Sequence, residues 1–134
     1  MRVFDSNIKN EWDTKVNFVD ENNVFVGYDT GQHCCEHASW YVSEQPTPYV
    51  YNFRQKTGEE LPEQNKEGLE GFVFDPTYFE TLDSPDLDDG GMVVFRMVNG
   101  DKVLFLHLFN CHNGYYCHGF EAKIGDEKWK EGSL

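Results

Sequence analysis

Apolar and polar residues alternate with period two along several stretches of the chain, the spacing of a strand with one buried face. Residues 14–19, Thr-Lys-Val-Asn-Phe-Val, carry it, and residues 24–28, Val-Phe-Val-Gly-Tyr, read as the returning strand. Between them stand Asp20, Glu21, Asn22 and Asn23, all turn formers, so the pair predicts a hairpin. Asp29-Thr30-Gly31 ends the hairpin, and residues 33–42 read as the next strand, with Trp40 and Tyr41 on it.

The last third has the clearest pattern. Residues 92–98 form a strand, and Asn99-Gly100 supplies the two turn residues that tolerate positive φ. Residues 102–110 are apolar at both odd and even positions, which predicts a central strand buried on two faces. Asn113-Gly114 is a second turn signal, so residues 115–124 become the third strand of a meander. The tail, 125–134, is charged apart from Trp129 and reads as a frayed end or one short helix.

The middle is irregular. Pro46 and Pro48 interrupt any ladder, residues 54–70 read as a long polar loop, and 83–91 as an acidic one. Between the loops, 72–74 makes a short strand. Asp75 and Pro76 then sit as N-cap and first residue of a single helical turn. The whole predicts a mainly β fold: an antiparallel sheet that curls into a small barrel or sandwich, with at most one or two short helices.

Length and composition narrow this further. The 134 residues fit one domain, 1–134, with a loop-rich insertion at about 45–90. Aromatic residues make up 16%, too many for a disordered chain. The net charge of -13 repels phosphate backbones, which argues against direct nucleic-acid binding and favours basic partners. Mimicry of DNA towards a DNA-binding protein is one form of that preference; plain solubility is the other reading. Met1 to Asp5 lead into no apolar run and nothing approaches a membrane span, so the expectation is a cytoplasmic protein with reduced thiols.

All five histidines and all four cysteines fall in two places, His33-Cys34-Cys35-Glu36-His37 and the stretch from His107 to His118. Both residue types ligate zinc. Extending the Asn113-Gly114 turn into a hairpin sets Cys111 opposite Tyr116 and Phe109 opposite His118. Diagonal neighbours in such a ladder lie roughly 7–8 Å apart, within reach of one ion. His107 and Cys111, about 13 Å apart along one strand, cannot share one. Cys111 with His118, or His112 with Cys117, are the pairs that remain. Ligands from the first stretch then complete a set of His33, Cys35, Cys111 and His118. No C-x-x-C clip is present, and vicinal Cys34 and Cys35 point to opposite faces if they lie on a strand. The plainer reading treats the cysteines as small core residues.

Cys35 beside His37 or His118 also suggests a small cysteine- or histidine-dependent enzyme. Nothing in the sequence marks an oxyanion hole or a phosphate loop, so a non-enzyme without a resident cofactor is expected, zinc being the exception considered. Trp40, Tyr41, Tyr49, Tyr51 and Phe53 form an aromatic run that serves either a ligand surface or cross-strand packing. Trp40, Tyr41, Tyr115 and Tyr116 are the candidate binding residues.

The Cys34-Cys35-Glu36 run after a strand pair, and the late Asn113-Gly114-Tyr115-Tyr116 turn before a final strand, carry a resemblance. Over residues 14–44 and 91–124 the chain resembles a family of small uncharacterised bacteriophage and bacterial proteins, a domain of unknown function. His33, His37, Cys111, Cys117 and His118 lie outside the shared pattern. The resemblance implies a small acidic protein that binds and inhibits a basic host protein in a bacterial cell.

Overall fold

The computed structural model describes residues 1–7, 14–49, 51–52, 57–83 and 87–134. Eleven strands run through them: β1 (Arg2–Asn7), β2 (Thr14–Val19), β3 (Val24–Asp29), β4 (His37–Ser43), β5 (Tyr51–Asn52), β6 (Thr57–Gly58), β7 (Val73–Leu82), β8 (Gly91–Asn99), β9 (Lys102–Cys111), β10 (Gly119–Ile124) and β11 (Glu127–Ser133). They make a five-stranded sheet in the order β1-β2-β3-β10-β11 and a four-stranded sheet in the order β4-β9-β8-β7. Strands β5 and β6 pair separately, and every pairing is antiparallel. The fold is mainly β, as the alternation predicts.

The two sheets pack face to face, as layers of a sandwich, and neither closes into a barrel. Val16, Phe18, Val26, Tyr28 and Ala122 from one sheet share a core with Trp40, Val93, Phe95, Leu106 and Leu108 from the other. Phe18 and Trp40 meet edge to face at 5.1 Å across that core. The outer face of the four-stranded sheet is buried as well. Tyr41, Val94, Phe105 and Phe109 form a second cluster, covered by Leu87, Tyr49, Leu61, Tyr78 and Leu82. Strand β9 therefore has apolar neighbours on both sides and lies between β4 and β8, the central position its pattern predicts.

The first hairpin is β2 and β3, and one side chain fixes its turn. Buried Asp20 accepts the N–H groups of Asn22 and Val24 on Oδ1, each at 2.9 Å, and that of Phe74 on Oδ2 at 2.8 Å. The turn is thus anchored to β7 of the other sheet. Asn23 takes a φ of 60°, which asparagine tolerates.

The second hairpin, β8 and β9, forms with a turn one residue later than expected. Asn99 pairs with Lys102 in the ladder, so the loop is Gly100-Asp101. Only one loop position needs positive φ, and Gly100 takes it at 60°. The same Gly-Asp pair recurs at 125–126, where Ile124 pairs with Glu127 and Gly125 has φ 61°. The tail is accordingly an edge strand, neither frayed nor helical, and Trp129 packs on Phe95 at 5.6 Å.

Two expectations about the middle and end are corrected. Residues 75–78 form an irregularity within β7, not a helical turn. Asp75 does accept Thr77 N–H at 2.9 Å as an N-cap would, but its other oxygen binds Arg96 and the chain stays extended. Pro76 is tolerated because β7 is an edge strand and the ladder is broken there. More consequentially, Asn113-Gly114 does not close a hairpin. Strand β10 pairs with β3 and β11, so residues 112–118 carry the chain from one sheet to the other. The predicted facing of Cys111 with Tyr116 and of Phe109 with His118 does not occur; Cys111 faces His37 and Phe109 faces Ser39 and Met92.

Candidate functional site

The crossing segment 112–118 meets the loop 30–36 at one end of the two sheets, where β4 starts and β9 finishes. This end gathers all four cysteines and four of the five histidines. Residues 34–36 lie in a bend ahead of β4 rather than on a strand, which begins only at His37.

Glu36 organises this loop. Its side chain is fully buried, and Oε2 lies 2.8 Å from His118 Nε2. Oε1 accepts the Cys34 N–H at 2.7 Å and the Gln32 amide at 3.1 Å, and the His33 N–H points between both oxygens. Burial works to raise the Glu36 carboxyl, but the hydrogen bonds from His118, Cys34 and His33 outweigh it and hold the group below its usual range. The other ring nitrogen of His118, Nδ1, lies 2.8 Å from the Asp29 carbonyl oxygen. A carbonyl only accepts and an ionised carboxylate only accepts, so both ring nitrogens carry hydrogen. His118 is therefore the cationic half of a buried ion pair with Glu36.

The remaining groups surround this pair. The His33 ring lies 5.5 Å from that of His118, and His37 stacks on Phe109 at 5.7 Å. Cys117 Sγ is 3.9 Å from His112 Nε2, so one of the two ligand pairs expected from the sequence does meet, through the crossing segment instead of a hairpin. His112 Nδ1 accepts the Gly114 N–H at 2.8 Å, which fixes the Asn113-Gly114 turn. Cys111 is buried and its thiol points to Asp88 at 3.8 Å. Among the described residues no three His, Cys, Asp or Glu side chains converge as a metal site would require. His33, Cys35, Cys111 and His118 thus share one end of the fold without forming a common centre.

Cys34 and Cys35 are both exposed. They lie in the bend ahead of β4, so the alternation expected of a strand does not apply to them. The neighbouring Cys34 side chain raises the Cys35 thiol above its ordinary value. Tyr116 is raised too, chiefly by the charge of Cys34. An activated nucleophile needs the opposite shift.

The candidate binding residues divide. Trp40 and Tyr41 are 4% and 2% exposed and face the two cores, so neither offers a surface to a ligand. Tyr41 stacks on His107 at 4.3 Å and meets Tyr49 edge to face at 5.3 Å. Cross-strand packing is what this aromatic run does; Phe53 lies outside the described residues. Tyr115, by contrast, is 81% exposed beside half-buried Tyr116.

No family model matches the chain, and no curated protein or solved structure does either. The site's reading rests on its own chemistry. Two of its organising groups, Asp29 and Asn110, carry no ligand-like signal in the sequence. Asn110 donates to the carbonyls of Tyr116 and Leu134 at 2.8 and 3.0 Å, tying the crossing segment to the residue that follows β11. Glu36 is visible in the sequence within Cys-Cys-Glu, where an acidic residue between two histidines hints at a buried counter-ion.

Proposed function

We propose that this protein is a non-enzymatic binding module that engages a basic protein through its acidic surface. The observation that carries this is the segment joining β6 to β7. Glu59, Glu60, Glu63, Glu67 and Glu70 are all exposed along it, and the single cation there, Lys66, is already 2.6 Å from Asp5. Such a field accelerates encounter with a positively charged surface and weakens with salt. The buried pair supports binding over catalysis, since His118 spends both ring nitrogens on Asp29 and Glu36. The motif resemblance to small bacteriophage and bacterial proteins supports a target in a bacterial host's cytoplasm, with inhibition of that target as the proposed outcome. Among the described residues no helix is long and apolar enough to cross a membrane.

The test compares the native chain with a form in which Glu59, Glu60, Glu63, Glu67 and Glu70 are changed to Gln, as bait in bacterial lysate. A basic protein retained at 50 mM salt (on the order of one Debye length of 14 Å), and lost both in the variant and at high salt, is expected. Equal retention by both baits, or none by either, refutes the reading.

Zinc stabilisation is a second reading, favoured by the Cys117–His112 contact. It requires about one zinc per chain in protein purified without chelator, and a lower melting temperature after chelation. Metal-free protein that melts unchanged removes it.

A further inference from the structure

We infer that the chain takes up a basic, extended peptide segment of its partner, which adds as a short strand beside the start of β9. This rests on the acidic-surface reading above and names the part of the partner that is held. The opening lies where β4 gives out. Strand β8 pairs with β9 from Lys102 to Asn110, but β4 pairs with it only from Phe105 to Cys111. The cause is local. Ser43 Oγ donates to the Gln45 carbonyl at 2.8 Å, and His107 Nε2 lies 3.1 Å from the same oxygen. Both contacts draw residues 43–45 away from the line of β4, and Pro46 cannot resume a ladder. In the β8–β9 hairpin, Asn99 and Lys102 flank a two-residue loop and form a hydrogen-bonded pair. Backbone direction alternates along a strand, so the N–H and C=O of Val103 point away from β8, to the side that β4 has left.

A groove of about 550 Å³ occupies that side, between Glu44, Gly68 and Phe72 on one wall and residues 102–104 on the other. Its floor is apolar. Phe72 is buried, Leu104 is half-buried, and Val103 is 41% exposed. Its surroundings are acidic. Glu44 and Asp101 are exposed next to it, and so are Glu67 and Glu70 of the segment joining β6 to β7, against the single cation Lys102. The Glu70 carbonyl accepts the Asn99 side-chain amide at 3.4 Å, which brings that segment to the β8–β9 turn. These features define the occupant. Apolar side chains cover Val103, Leu104 and Phe72, cationic residues at either end meet the carboxylates, and the peptide backbone satisfies Val103. Strand addition takes its affinity from the main chain and its selectivity from such flanking side chains.

The test titrates the full chain with the capped peptide Lys-Arg-Val-Leu-Val-Arg-Lys and follows backbone amide resonances. A second peptide, N-methylated at its three apolar residues, keeps every charge and side chain but lacks the donors that a strand needs. The expected result is a change centred on residues 44–45, 68–72 and 102–104, with affinity lower by about 10-fold or more for the N-methylated peptide, the scale of one or two lost backbone hydrogen bonds. Val103→Pro removes the donor on the open side without touching the β8 ladder and should weaken the first peptide to a similar degree. A melting curve checks that this variant folds, and the peptide comparison on native protein decides the matter if it does not. Changes confined to residues 59–67, or equal affinity for the two peptides, overturn the strand site and leave the acidic-surface reading in place. Binding of neither peptide also overturns the strand site, and the lysate comparison then judges the wider reading by itself.

Discussion

Changing Glu36 to Gln tests the buried ion pair most directly. The amide matches the carboxylate in size but replaces one acceptor oxygen with a donor. Each original oxygen faces only donors: Oε2 meets His118 Nε2 and the His33 N–H, Oε1 meets Cys34 N–H, His33 N–H and the Gln32 amide. Either orientation of the amide therefore sets N–H against N–H, and the His118 cation loses its counter-charge inside the fold. Removing one member of a buried pair costs about 3–5 kcal/mol. Unfolding entropy of about 2.1 cal/mol/K per residue gives the 134-residue chain about 0.28 kcal/mol/K. The expected fall in melting temperature is then about 10–18 °C at pH 7. Calorimetry of native and variant protein measures it. The pH dependence has a definite sign. Glu36 sits below its usual range in the fold, so its contribution is full above about pH 4.3 and is lost as pH falls through the folded value. The gap between the two proteins must narrow in acid. A gap under about 3 °C at pH 7, or one that widens on acidification, would show that Glu36 and His118 are not paired as described.

Two further outcomes follow from single side chains. Asp20→Ala strands the buried N–H groups of Val24 and Phe74, at about 1–3 kcal/mol each. Urea midpoints should fall accordingly, with Asp20→Asn between the two; equal midpoints for all three proteins would remove Asp20 as the anchor of the first hairpin to β7. His107 is pushed down to about 4 by burial, with the Gln45 carbonyl pulling the other way. Its neutral form belongs to the fold, so stability is full above about pH 6.5 and falls by up to about 1.4 kcal/mol per unit as pH drops towards 4. His107→Gln should therefore lose less stability than the native protein between pH 7 and 5 in urea titrations, and identical losses would contradict the buried neutral ring.

Local signals were legible where neighbours in sequence are neighbours in space. The β2–β3 hairpin follows from alternation and four turn formers, and the doubly apolar pattern of β9 correctly places it between two strands. Asn113-Gly114 misleads because a turn signal says that the chain bends, not which strand it meets next. His112 and Asn110 fix that bend so that β10 departs to β3, a partner about 95 residues earlier. The Gly125-Asp126 turn is masked by the charge of residues 125–134, though the same dipeptide closes the β8–β9 hairpin. At the site, the sequence located the right end of the molecule but not its pairing. Histidines and cysteines suggest a metal by type alone. The strongest contact there is instead between His118 and a carboxylate 82 residues away, which no local spacing could show.

The pairing of β3 with β10 also has a consequence for how the chain is made. The five-stranded sheet joins residues 2–29 to residues 119–133. On a ribosome adding roughly 5–20 residues per second, the intervening stretch of about 90 residues takes on the order of 5–20 s to appear. For that interval β1, β2 and β3 can form a small meander, but its inward face, with Phe18 and Val26, lacks its cover, and β3 has a bare edge. The nascent protein is then most in need of chaperone shelter, and shortening the delay between β3 and β10 should raise its soluble yield.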